Sequence, residues 1–120
     1  VFDTKTHGIR ASLKNLEGYF TRRKLKNIKE IINTYAPGGS IGQSQANTDA
    51  YVKSVVNYMK TNWDVNVTST TTLTFAGSSE TNSKNIKMFK ELNKAILKQE
   101  GKLTADLISS IDSFDIKNLA

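Results

Sequence analysis

Gly8-Ile9-Arg10-Ala11-Ser12-Leu13-Lys14-Asn15-Leu16-Glu17-Gly18-Tyr19-Phe20 sets Ile9, Leu13, Leu16 and Phe20 three or four residues apart, the spacing that lines one face of an α-helix with apolar side chains. Thr4 offers a hydroxyl suited to an N-cap, so a first helix is predicted from Lys5 to Phe20, with Gly18 as its weak point. A second series with the same period, Leu25, Ile28, Ile31, Ile32 and Tyr35, is stopped by Pro37, which has no N–H to donate and disfavours helix at the residue before it. Only Thr21 to Lys24 separate the two, which predicts a helical hairpin. Ile9, Leu13, Leu16, Ile28, Ile31 and Ile32 would be its seam.

Beyond Pro37, the run to Ala46 carries Gly38-Gly39 and Gly42 among Ser and Gln, has little to bury and reads as an exposed loop. Asn47 or Thr48 then caps a third helix bearing Tyr51, Val52, Val55, Val56 and Met59, ending near Asn62 with Trp63 behind it. From Asp64 to Phe75, β-branched and polar residues alternate, which fits either a short strand pair or an extended linker. After a Gly/Ser loop from Ala76 to Thr81, Ile86, Phe89, Leu92 and Ile96 define a fourth helix stopped by Gly101, and Thr104 caps a short fifth with Leu107, Ile108 and Ile111. The expectation is one small, mostly α domain of about five helices, with a short extended segment between helices three and four. Residues 1–101 would form the helical domain and residues 102–120 a helical extension that continues or docks on the same core.

Several chemistries are excluded by composition. There is no cysteine, hence no thiolate nucleophile, disulfide or Cys-ligated metal. No apolar run approaches the roughly 20 residues of a membrane-spanning helix. His7 is the only histidine, so a metal site or a Ser-His-Asp triad would have to be built around the first turn of helix one; the simpler reading is a surface residue beside an N-cap. Gly38-Gly39-Ser40-Ile41-Gly42 lacks the lysine and preceding strand of a phosphate loop. Neither metal nor cofactor is expected. A chain opening on Val1-Phe2 without Met is expected to derive from a longer polypeptide.

Charge adds a bias rather than a site. With 17 Lys and Arg against 11 Asp and Glu, the net +6 favours polyanions such as DNA, anionic headgroups or cell-wall polymers. Lys84, Lys87, Lys90, Lys94 and Lys98 recur every three or four residues, on the side of helix four opposite Phe89, Leu92 and Ile96. Together with Arg22, Arg23, Lys24 and Lys26 they form a candidate polyanion surface, to be weighed against a merely solvated face. Aromatic residues are not interleaved with them, which argues against single-strand recognition.

The ordered series Phe2-Asp3-Thr4, Gly8-Ile9-Arg10-Ala11, Ile28, Ile31-Ile32, Tyr35-Ala36-Pro37, Asn47-Thr48 and Tyr51-Val52 resembles a small domain found in bacteriophage virion proteins. The likeness covers residues 2 to about 60 and extends more weakly to Leu97-Lys98-Gln99-Glu100-Gly101; from Lys102 onward the chain falls outside it. Three departures stand out: Gly38 replaces a second proline, Tyr35 a usual tryptophan, and Gly39 to Ala46 is a longer insertion before Asn47. The resemblance implies a non-catalytic structural module of the particle, assembled in the bacterial host cytoplasm. It would be either internal and ejected with the genome or tail-associated. Its partners would be other virion proteins, with contact to DNA or to peptidoglycan of the cell envelope.

Against that background, Arg10 is a candidate anchor for the Tyr35-Ala36-Pro37 corner, a guanidinium being able to bond loop carbonyls while its stem packs on apolar neighbours; the alternative is a ligand contact. Tyr35, Asn47, Thr48 and Tyr51 gather at one loop-helix junction. Such a set of aromatics, amides and hydroxyls suits a glycan; the simpler reading is a capped helix packed on two tyrosines. Glu100 before Gly101 resembles the helix-ending "E-S-G" of lytic transglycosylases, which can rely on a single general acid. No second acid is recognisable near it. The alternative functions are therefore a peptidoglycan-degrading virion enzyme or its accessory domain, resting on Glu100, and a non-specific nucleic-acid-binding module, resting on charge.

Overall fold

The computed structural model describes residues 4–35, 45–75 and 77–119, with five α-helices among them: α1 (Thr4–Thr21), α2 (Ile28–Tyr35), α3 (Gln45–Asn62), α4 (Ser83–Gln99) and α5 (Ala105–Ser113). The mostly α fold class is as expected. Two short 3-10 turns, Gly77–Ser79 and Ile116–Leu119, complete the elements, and no strand occurs among the described residues.

The seam of α1 and α2 is buried as its periodicity requires, with Leu13, Ile28, Ile31 and Ile32 fully inaccessible. The two helices are nevertheless not a simple hairpin. α2 lies chiefly on α3, α1 on α4, and α3 with α4 makes the largest helix pair. The chain between them explains this. Lys24 takes a left-handed φ of 55°, ending the turn after α1, so Leu25 falls in the loop rather than on the second helix. Asn27 caps α2, its side-chain oxygen accepting from the Glu30 N–H at 2.9 Å while Glu30 Oε1 accepts from the Lys26 N–H at 3.0 Å.

Residues 64–75 form no strand pair; of the two expected alternatives the connecting segment without strands is found, and it is docked on the core. Their Asp and Thr side chains satisfy the local backbone instead: Asp64 Oδ1 accepts from the Asn66 N–H, and Thr71 Oγ1 from the Thr68 N–H. The segment docks on α2, with the Lys29 N–H donating to the Ser69 carbonyl and the Leu73 N–H to that of Lys26. Val67, Leu73 and Phe75 are buried. Phe75 stacks on Phe89 of α4, centroids 3.8 Å apart, and Phe20 of α1 meets both rings edge-on, so one loop aromatic joins two helices.

α3 begins at Gln45, before Asn47 and Thr48, so neither is its N-cap. Thr48 lies one turn before Tyr51 and Val52 on the inward face and has no accessible surface. The end of α4 follows expectation. Gly101, at φ 73°, donates to the Lys98 carbonyl and Lys102 to that of Leu97, the paired bonds that satisfy a helix C-terminus through a left-handed glycine. Thr104 Oγ1 accepts from the Leu107 N–H and caps α5. Residues 105–119 belong to the one core, to which they contribute Ile111, Phe114, Ile116 and Leu119.

Candidate functional site

The densest polar chemistry lies where α5 crosses α4. Lys94 is almost wholly buried, and its Nζ is 2.6 Å from Glu91 Oε1, itself buried, and 2.6 Å from Asp112 Oδ1 at the end of α5. Lys87 approaches the same Glu91 oxygen at 3.8 Å. Lys90 Nζ donates to the carbonyls of Asp112 and Phe114, so a cation from α4 caps the C-terminus of α5, where its unsatisfied carbonyls carry partial negative charge.

Protonation follows this geometry. Burial opposes charge on Lys94, but its bonds to Asp112 and then Glu91 outweigh that and hold its pKa above the ordinary lysine value. Burial lowers that of Lys90, with Asp112 opposing. The Tyr58 phenol, on α3 beside this cluster, is pushed up by burial and by the Glu91 carboxylate.

The lysine stripe expected on α4 is therefore broken. Lys94 is withdrawn into an ion triad and the Lys90 ammonium is spent on α5 carbonyls, because α5 covers the middle of what a helical wheel shows as a free face. Arg22, Arg23, Lys24, Lys87 and Lys98 are exposed. Two of them fold back on their own surroundings, Arg23 over the Tyr19 ring at 6.0 Å and Lys98 over that of Tyr58 at 5.4 Å.

Of the other candidates, Tyr51 and Glu100 are brought together, the Tyr51 hydroxyl donating to Glu100 Oε1 at 3.3 Å. Tyr51 is buried and Glu100 exposed. Asn47 is exposed while Thr48 faces the core, so these two do not share a surface. The side chain of Tyr35, with Ala36 and Pro37, lies outside the described residues; Arg10 Nε donates to the Asn118 carbonyl at 2.9 Å, in the last 3-10 turn.

No family model, curated protein or solved structure matches this chain. The site is thus read from its own geometry. Among the described residues no cluster of three or more His, Asp or Glu side chains is arranged to hold a metal ion, and no helix is long and apolar enough to cross a membrane.

Among the described residues, two grooves that no sequence pattern announces flank α3. One, of about 740 Å³, runs between α3, α4 and the start of α5, lined by Ser54, Asn57, Tyr58, Thr61, Gln99 and Thr104 among others. The other, of about 440 Å³, lies between α3, Lys29 of α2 and the Thr68-Ser69 turn. Its facing wall comes from a segment whose docking no periodicity announces.

Proposed function

We propose that the chain is a non-catalytic packing module of a bacteriophage virion protein, acting through contacts with other proteins of the particle, internal or tail-associated. One observation carries this reading. Most residues of the virion-protein resemblance whose side chains are described are spent on architecture: Ile9, Ile28, Ile31, Ile32, Thr48, Tyr51 and Val52 are buried and Arg10 ties α1 to the C-terminal turn, while Ala11 and Asn47 are exposed. A motif made of core residues and a tether specifies a shape to be packed against. The buried ion pair points the same way, since Lys94 bonds Glu91 within α4 and also the half-exposed Asp112 of α5.

Glu100, the alternative general acid, is exposed rather than enclosed by the apolar walls that keep such an acid protonated. Two measurements test the proposal. The chain should be detected by mass spectrometry in density-banded particles of the phage that encodes it, and the purified chain should leave sacculi intact in a turbidity assay. Lysis abolished by Glu100→Gln, with the fold retained, would establish the transglycosylase reading instead. Duplex DNA binding that falls steeply with salt, in a chain missing from the particles, would favour the nucleic-acid reading.

A further inference from the structure

Asp49, Val52, Lys53, Val56, Asn57 and Lys60 line one groove wall at i, i+3, i+4, i+7, i+8 and i+11 along α3. That is one continuous helix face, about 16 Å long at 1.5 Å per residue. The facing wall is Lys29 on the first turn of α2 with Thr68 and Ser69, fixed by the 3.0 Å bond from the Lys29 N–H to the Ser69 carbonyl. Val52 and Val56 form the floor, and the Lys29, Lys53 and Lys60 side chains on the rim are exposed. Asp49 is the single acid among the lining residues.

We propose that this groove docks an acidic amphipathic segment of a partner protein, laying an aliphatic side chain over Val52 and Val56 with carboxylates against Lys53 and Lys60. Lys53 and Lys60 stand two helical turns apart with Val56 between them, a charge-apolar-charge pattern that a helix with acids at i and i+7 and leucine between complements directly. Phosphate backbones present no apolar group to cover the valines. The basic rim differs from two lysines of α4: Lys90 is held by backbone carbonyls of α5 and Lys94 is paired with Asp112, whereas these three project from helices whose positions the core fixes. Both walls are thus preformed, which spares the complex the cost of ordering a loop. The partner's membership of the same particle rests on the packing-module reading; the chemistry of the groove does not.

The test uses the purified chain and a fluorescein-labelled helical peptide of about 11 residues, long enough to follow the groove, with terminal glutamates and central leucines. A companion peptide carries serine for leucine, and a duplex DNA oligonucleotide serves as competitor. The leucine peptide should bind, shifting the amide resonances of Val52, Val56 and Ser69, and the double reversal Lys53→Glu/Lys60→Glu should weaken it about tenfold or more, whereas Lys84→Glu on α4 should not. Since Lys53 and Lys60 are exposed, circular dichroism of the double variant should match that of the parent, and the neutral Lys29→Gln should give a smaller loss in the same direction. Equal binding of the serine peptide, affinity unchanged by the reversal, displacement by DNA at equal concentration, or no binding of either peptide would each overturn the proposal. If the peptide binds but the chain is missing from particles, the packing-module reading alone fails; the converse result removes the groove alone.

Discussion

Lys94 on α4 donates to Asp112 on α5 at 2.6 Å, and that bond joins two helices through a side chain that has almost no contact with water. Its ammonium is shared with Glu91, one turn earlier on the same helix and equally buried. Two ions removed from solvent are sustained by each other and by an acid that is half in water.

Lys94→Met should therefore cost on the order of 3–5 kcal/mol, because Glu91 would be left buried without its close partner. The double variant Glu91→Leu/Lys94→Met should recover most of that loss. Urea denaturation of the three proteins measures both. A single variant that costs less than about 1 kcal/mol would mean that water reaches Glu91.

Alkaline pH should weaken the fold through the same junction. Lys94 and Tyr58 have folded-state pKa values above their ordinary ones, so the stability they contribute is fully present below about pH 10 and is lost as the pH rises through the folded values. Lys90, lowered by burial, acts with the opposite sign: the unfolded chain binds its proton more tightly, so stability rises with pH between its folded and ordinary values. The check is thermal denaturation from about pH 9 to about pH 11, where Tyr58→Phe should flatten the decline. A slope identical to that of the parent would remove Tyr58 from the balance.

Ile31, fully buried on α2, should cost about 2–4 kcal/mol when replaced by alanine, the loss combining transfer of three carbons with the cavity they leave. The shift in denaturation midpoint at unchanged slope reports it. A loss below about 1 kcal/mol would show that α2 closes over the gap.

Lys24→Gly should stabilise the protein, by up to about 1 kcal/mol, since a side chain at φ 55° crowds the following carbonyl and glycine does not. The gain is partly offset by the greater freedom of glycine in the unfolded chain. A lower melting temperature in the variant would mean that the side chain, not the backbone, matters at that turn.

Helix positions were legible because apolar spacing reports directly on one-sided burial, and Thr104 and Gly101 because a capping hydroxyl and a left-handed glycine are local requirements. The cap of α2 is equally local, with Asn27 followed by Glu30 carrying the signal. Tertiary choices were not legible in this way. A helical wheel puts Lys90 and Lys94 on a face but cannot say that α5 will cover it; the one hint was Glu91, a carboxylate set among lysines at i−4 and i+3. Likewise the β-branched run from Val65 to Thr74 has strand propensity, yet the Asp64 and Thr71 side chains bond the local backbone, and Val67 and Leu73 find burial without a ladder. At the candidate site the pairing of Tyr51 with Glu100, 49 positions apart, and the wall that Ser69 lends to α3 arise only once distant segments meet.

The bond from Arg10 to the carbonyl of Asn118 spans 108 positions of the chain, and Leu119 beside it is fully buried. Helical proteins owe their speed of folding to contacts made near at hand, whereas here the first helix is held in part by a turn more than a hundred residues away. The loop that must close is long, and its entropy is recovered only when that turn arrives. Residues 111–119 also supply Ile111, Phe114, Ile116 and Leu119 to the same core, so the burial of that core is complete only once the end of the described chain has docked.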